Sequence, residues 1–197
     1  MKHSKWLGVV AGIVLLATPG LRAAEYTIDP MHSKVEFKVK HLGISTVTGR
    51  FEKFSGSFSY DPAKVAASKA QATLDAASIN TDVEKRDTHL KSPDFLDVAK
   101  YPTITFASTG VQDPTPEGFK LLGNLTLHGV TKPVILDTQV GGLVEDPWGN
   151  KRAAFTASTT INREDYGVSW NQQLKTGGLL VGEDVKILLE VEGVQKK

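Results

Sequence analysis

The 197-residue sequence contains no cysteine. That absence excludes disulfide scaffolds, thiolate zinc and iron–sulfur sites, cysteine nucleophiles and cysteine-linked lipid anchors. The chain also lacks an excess charge of one sign, since 23 Lys and Arg stand against 22 Asp and Glu. A chain so balanced has no general attraction for nucleic acid, and no such partner is expected. Phosphate-cradling loops of the G-x-x-x-x-G-K and G-x-G-x-x-G types are missing, as is a G-x-S-x-G nucleophile elbow. Lys175-Thr176-Gly177 matches one element of penicillin-recognising enzymes, but no serine has the lysine three places on that their nucleophile needs. It reads instead as the way into a Gly177-Gly178 turn. Beyond the first residues the histidines are His32, His41, His89 and His128, none paired at the spacing that puts two ligands on one face. Neither a metal site nor a cofactor is expected.

Long apolar runs are almost absent. The one present, Leu7 to Ala17, follows Lys2 and Lys5 and is broken by Pro19-Gly20 before the small pair Ala23-Ala24. Basic start, short apolar middle and small residues at the end are the three parts of a secretory signal. The run falls short of the roughly 20 residues that cross a bilayer. Cleavage is expected after Ala23, leaving one domain over residues 24–197. It would remove Lys2, Lys5 and Arg22 and no acid, so the remainder turns slightly negative. For a bacterial chain the expected compartment is the periplasm. With no stable anchor, any membrane contact would be transient.

What the sequence does have is period two. Val35, Phe37 and Val39 alternate with lysines and Glu36; Phe54, Phe58 and Tyr60 oppose serines. Ala72-x-Leu74-x-Ala76, Ile104-x-Phe106, Phe119-x-Leu121 with Leu125-x-Leu127, Phe155-x-Ala157 with Ile161, and Val185 to Val191 repeat the pattern. Tyr26–Asp29 and Val134–Val140 are weaker additions. Such alternation belongs to antiparallel strands with one dry face and one wet face. His128-Gly129 predicts a tight hairpin, and Asp146-Pro147-Trp148-Gly149-Asn150 a further turn. Thr81-Asp82-Val83-Glu84 has capping-box spacing and predicts a short helix. Ser92-Pro93 predicts a second, and Asp61–Ala67 one more turn. The fold class is all-β. Eight or nine such strands hide their edges in a closed barrel or a two-sheet sandwich, and periodicity alone does not choose.

Polar clusters are few. Arg86-Asp87-Thr88-His89 offers either an acid–base or anion-binding group, or a helix surface tied by local ion pairs. Arg163-Glu164-Asp165 is a second such cluster with the same two readings, the surface one favoured. With so many apolar side chains on one face and little convergent catalytic equipment, the pattern suits a protein that shelters something apolar, although an ordinary filled core alternates identically.

Several stretches together resemble the YceI family of exported polyisoprenoid-binding proteins. They include Tyr26-Thr27-Ile28-Asp29, His32-Ser33, His41-Leu42-Gly43, Gly49-Arg50-Phe51, and Ser78-Ile79-Asn80-Thr81. Arg86 through Ser92, Asp94-Phe95-Leu96-Asp97, Tyr101 through Phe106, Gly123 through Val134 and Asp146 through Arg152 continue the series in order. The resemblance implies a lipocalin-like closed antiparallel β-barrel of about eight strands with two short helices. It also implies a lumen for a polyprenyl lipid or isoprenoid quinone, and a link to envelope stress. It implies no catalytic residues. Arg86, Asp87 and His89 would hold a helix over the barrel or meet a head group, which is expected near His41, Arg86 or His89. The wall candidates, one face of each strand, are Phe37, Phe54, Phe58, Leu74, Phe106, Leu125, Leu127, Phe155, Ile187 and Leu189. The rival readings are an enzyme acting through Arg86, Asp87 and His89, and an envelope interaction module with a filled core.

Overall fold

A computed structural model describes residues 23–175 and 177–197. The predicted leader therefore lies outside the described residues, apart from Ala23. Eleven strands follow in chain order: β1 (Ala24–Ile28), β2 (Lys34–His41), β3 (Ser45–Phe51), β4 (Phe54–Tyr60), β5 (Lys69–Asp75), β6 (Ile79–Asn80), β7 (Thr103–Gln112), β8 (Gly118–Leu127), β9 (Val130–Glu145), β10 (Lys151–Asn162) and β11 (Val181–Gln195). All pairings between them are antiparallel.

The register shows why eleven segments make eight staves. β1 pairs with β4 and β2 with β3, while β11 pairs along β2 and then β1. β1 with β2, β3 with β4, and β5 with β6 are thus three long strands, each broken once by a bend. With β7 to β11 they form an up-and-down meander that closes where β11 meets β1 and β2. Closure pairs nearly all the long strands on both sides and leaves a short edge on β3 ahead of Arg50, where β6 takes over. The His128-Gly129 hairpin forms with both residues at positive φ (51° and 75°), the geometry of a type I′ turn.

Three local expectations need correcting. The alternation missed β3, whose inward position Gly49 lies opposite Phe37. A Cβ on Gly49 would come within 2.3 Å of the Phe37 ring, so the missing side chain is what lets that ring lie flat against its neighbour strand. The first helix is α1 (Glu84–Lys91), and its N-cap is Val83, not Thr81. Asp82 at φ 62° turns the chain back, and the Thr81 hydroxyl bonds Asp87 within the helix instead of capping its start. The second helix does not form. Ser92 closes α1, its N–H and hydroxyl both donating to the His89 carbonyl (3.1 and 2.7 Å). Turns follow, reversed by Asp97 at φ 43°. Three short 3-10 segments complete the fold, Val65–Ala67, Ala76–Ser78 and Arg163–Tyr166.

The two ends of the barrel differ. One is plugged by rings: Tyr26 stacks on Phe58 (4.9 Å between centroids), and Phe58, Tyr60 and Phe119 meet Phe155 edge-on. An ion-pair network clamps the surface at this end. Arg152 donates through Nη1 to Glu192 (2.6 Å) and Asp29 (3.0 Å), and through Nε to Asp146 (2.9 Å). Burial opposes ionisation of Asp146. The Asn150 N–H, Arg152, the Asn150 amide and the Trp148 N–H outweigh it and hold the carboxyl well below the ordinary range. The opposite end is covered by α1, the turns after it and the residues from Arg163 to Trp170.

Candidate functional site

Between plug and cover lies a cavity of about 230 Å³. Its walls come from the inward face of nearly every stave. Phe37, Phe54, Leu74, Phe106, Leu125, Leu127, Ile187 and Leu189 all line it, joined by Val35, Val39, Phe51, Ile104 and Ile161. Two candidate wall residues lie elsewhere: Phe58 and Phe155 belong to the ring cluster that plugs the far end, each 8% exposed. Their alternation is correct, but the barrel is filled at that height. Nothing in the period distinguishes a plug from a wall, because both face inward.

The cover contributes Leu90 from α1 and Phe95 and Leu96 from the turns after it. Glycine again sets the wall shape at Gly123, where a Cβ would meet the Phe106 ring at 2.3 Å. The ring can therefore lie along β8, leaving space in the lumen rather than filling it.

Head-group candidates sit at the covered end, but none of His41, Arg86 and His89 is among the residues lining the cavity. Arg86 donates through Nε to the Thr81 hydroxyl (2.7 Å) and through Nη2 to the Thr81 carbonyl (2.8 Å). Asp87 accepts from the Thr81 N–H (2.9 Å) and hydroxyl (2.5 Å). The two side chains thus tie α1 to Thr81, the residue directly after β6. His89 is held separately, with Nε2 2.8 Å from Asp94 and its ring edge-on to Phe95 and Trp170. These three residues do not converge on a common point as an acid–base group would. His41 ends β2, where it pairs with Ser45 and Val181.

The reading of Arg163-Glu164-Asp165 as a surface cluster is wrong for its first member. Arg163 is 4% exposed and lines the cavity. It continues the inward series Ala157, Thr159, Ile161 of β10, a period-two signal that runs one residue past the strand. Nε donates to the Gly182 carbonyl (3.0 Å), and Nη1 to the carbonyls of Val168 (2.5 Å) and Trp170 (3.0 Å). These bonds hold Trp170, unassigned from sequence, against His89 and Phe95. Burial pushes the guanidinium below its ordinary value.

Asp29, His32 and Glu192 bring three ligand-type atoms within 4.8 Å of one another. The cation there is already Arg152, which bonds both carboxylates. The cluster reads as part of the clamp.

A closed eight-stave meander, plugged at one end and enclosing an apolar chamber, defines the lipocalin-like class of barrels. The YceI-like domain model matches residues 26–193, and the chain belongs to that family. It is 42% identical over 193 residues to a UPF0312 protein of Enterobacter sp. (strain 638), covering 97% of both chains. Among solved structures it resembles Burkholderia cenocepacia BcnA, with a TM-score of 0.74 and 25% identity over 84% of this chain and 98% of that one. A polyisoprenoid-binding domain from Saccharophagus degradans has the same fold, with a TM-score of 0.65 and 18% identity over 89% and 100% of the two chains.

Proposed function

We propose that this protein binds a long isoprenoid lipid, a polyprenyl lipid or an isoprenoid quinone, in the barrel lumen. The reading includes export to the periplasm and a part in the envelope stress response. One observation carries it: the chamber is walled by hydrocarbon side chains from almost every strand. Each CH₂ withdrawn from water stabilises the complex by about 0.8 kcal/mol, so a few isoprene units offset the cost of ordering a flexible tail. The shared barrel of the Saccharophagus domain supports the same reading. Binding is favoured over catalysis because Arg86 and Asp87 both bond Thr81 while His89 pairs with Asp94.

Loading from a membrane would be transient and made through the covered end. There the β2–β3 hairpin tip is joined to the residues just before β11 by the Leu42 N–H bond to the Leu180 carbonyl (2.9 Å). Ile44 on that tip is 84% exposed, and Leu42 and Leu179 are also exposed. The test is organic extraction of protein purified from a bacterial periplasm, followed by mass spectrometry. A prenyl lipid in stoichiometric amount is expected. Absence of any prenyl lipid from both native and lipid-reconstituted samples refutes the reading.

A further inference from the structure

Resting on that reading, we propose that Arg163 receives the lipid head group through Nη2, and that this head group is a neutral oxygen acceptor and not a phosphate. Among the described residues, Arg163 is the buried charged side chain, and its Nη2 is a buried donor atom without a hydrogen bond. The other guanidinium nitrogens are committed to backbone carbonyls of the cover and of β11. Those bonds fix the fork in place, so one nitrogen with two N–H groups is left over on a residue that lines the apolar chamber. A buried donor left unpaired is costly, and a ligand oxygen that reaches it removes the cost.

Charge decides which oxygen. Glu164 Oε1 lies 3.9 Å from Nη2, too far for a hydrogen bond yet close enough for strong attraction. Glu183 also acts on the guanidinium. One buried cation therefore already faces two acids. A phosphate would carry about two negative charges into a low-dielectric site that holds a single cation. A hydroxyl or carbonyl oxygen accepts from Nη2 without adding charge. Prenols and isoprenoid quinones both present such an oxygen on an apolar tail.

The experiment uses the protein with Trp148→Phe, which leaves Trp170 as the tryptophan of residues 24–197, reporting from beside the Arg163 bond. Farnesol, a ubiquinone with a farnesyl-length tail, farnesyl phosphate and farnesane are titrated against its fluorescence. Farnesol or the ubiquinone, or both, are expected to bind at least tenfold tighter than farnesyl phosphate. Arg163→Lys, which cannot supply the fork, should erase that margin while leaving farnesane affinity within twofold. Glu164→Gln should strengthen farnesyl phosphate binding several-fold and leave farnesane unchanged.

Because Arg163→Lys also loosens the cover, the arginine side-chain ¹⁵N resonances of the unsubstituted protein give a second readout. Only Arg50, Arg86, Arg152 and Arg163 contribute within residues 24–197. The Arg163 signals should move with farnesol or the ubiquinone and stay put with farnesane. Farnesyl phosphate binding tightest overturns the neutral-acceptor assignment. Equal affinity for all four probes, or Arg163 signals that no oxygenated probe moves, overturns the role of Arg163 while leaving the lumen reading intact. Failure of every probe, farnesane included, overturns both.

Discussion

Phe155 and Phe106 look alike in sequence, and truncating each to alanine should separate the plug from the wall. Phe155 is 8% exposed and meets Phe58 at 5.3 Å, Tyr60 at 4.9 Å and Phe119 at 6.2 Å between ring centroids. Removing it opens a hole ringed by aromatic groups that cannot collapse, which costs about 3–5 kcal/mol. At roughly 2–4 °C per kcal/mol for a domain of this size, melting should fall by about 6–20 °C. Phe106 is half-buried and faces the existing chamber, so its truncation enlarges a space already there. The expected loss is smaller, about 1–2 kcal/mol, because contacts are lost on one side only. Lipid binding should show the opposite order, with Phe106→Ala changing tail-length preference and Phe155→Ala leaving it alone at temperatures where the protein is folded. Urea unfolding and fluorescence titration with prenols of graded length measure the two quantities. Equal stability losses, or a tail preference altered more by Phe155→Ala, would refute the division into plug and wall.

Gly123→Ala should push the Phe106 ring off β8 and into the lumen, weakening binding of the longest prenols first in the same titration. Arg152→Met should lower the melting temperature at neutral pH, since three carboxylates lose their shared cation. The folded carboxyls of Asp146 and Asp29 are depressed, so their contribution is present above about pH 4 and lost as pH falls through the folded values. The gap between wild type and Arg152→Met should therefore shrink in melts below about pH 3, and a gap that widens there would contradict the clamp. Ile44→Asp should slow lipid uptake from vesicles, followed by stopped-flow fluorescence, without changing the final extent of binding.

The barrel was legible in the sequence because period two is a direct consequence of strand geometry, and seven segments carry it strongly. The closure was not, since the same faces serve a sandwich; only the meeting of β11 with β1 and β2 settles it. β3 escaped because Gly49 stands where an apolar residue would mark the inward face. The cover was misread for a related reason. Thr81, Ser92 and their neighbours have cap-forming side chains, but left-handed turns at Asp82 and Asp97 redirect the chain, and local spacing does not report a turn of that hand. Eight wall residues could be named from alternation, whereas the depth at which the lumen stops could not, because depth depends on which rings meet across the barrel.

Arg163 shows the limit most clearly. Written beside Glu164 and Asp165, it has the composition of an exposed ion-pair turn, and short-range charge pattern argues for that reading. Its place is decided by longer reach: four alternating residues of β10 point it inward, and the carbonyls of Val168, Trp170 and Gly182 converge on it from the cover and β11. A buried cation of this kind is expensive to fold around. Backbone carbonyls meet most of that cost, and they do so by holding the cover in the one arrangement that closes the chamber. The residue that fixes the cover is therefore the residue nearest a spare donor inside it. Closing the mouth and recognising what lies beneath are coupled through one side chain, so a ligand oxygen bound to Nη2 should also tighten the cover. Hydrogen exchange at Val168 and Trp170 should slow on binding farnesol and not on binding farnesane, and equal protection by both would uncouple the two roles.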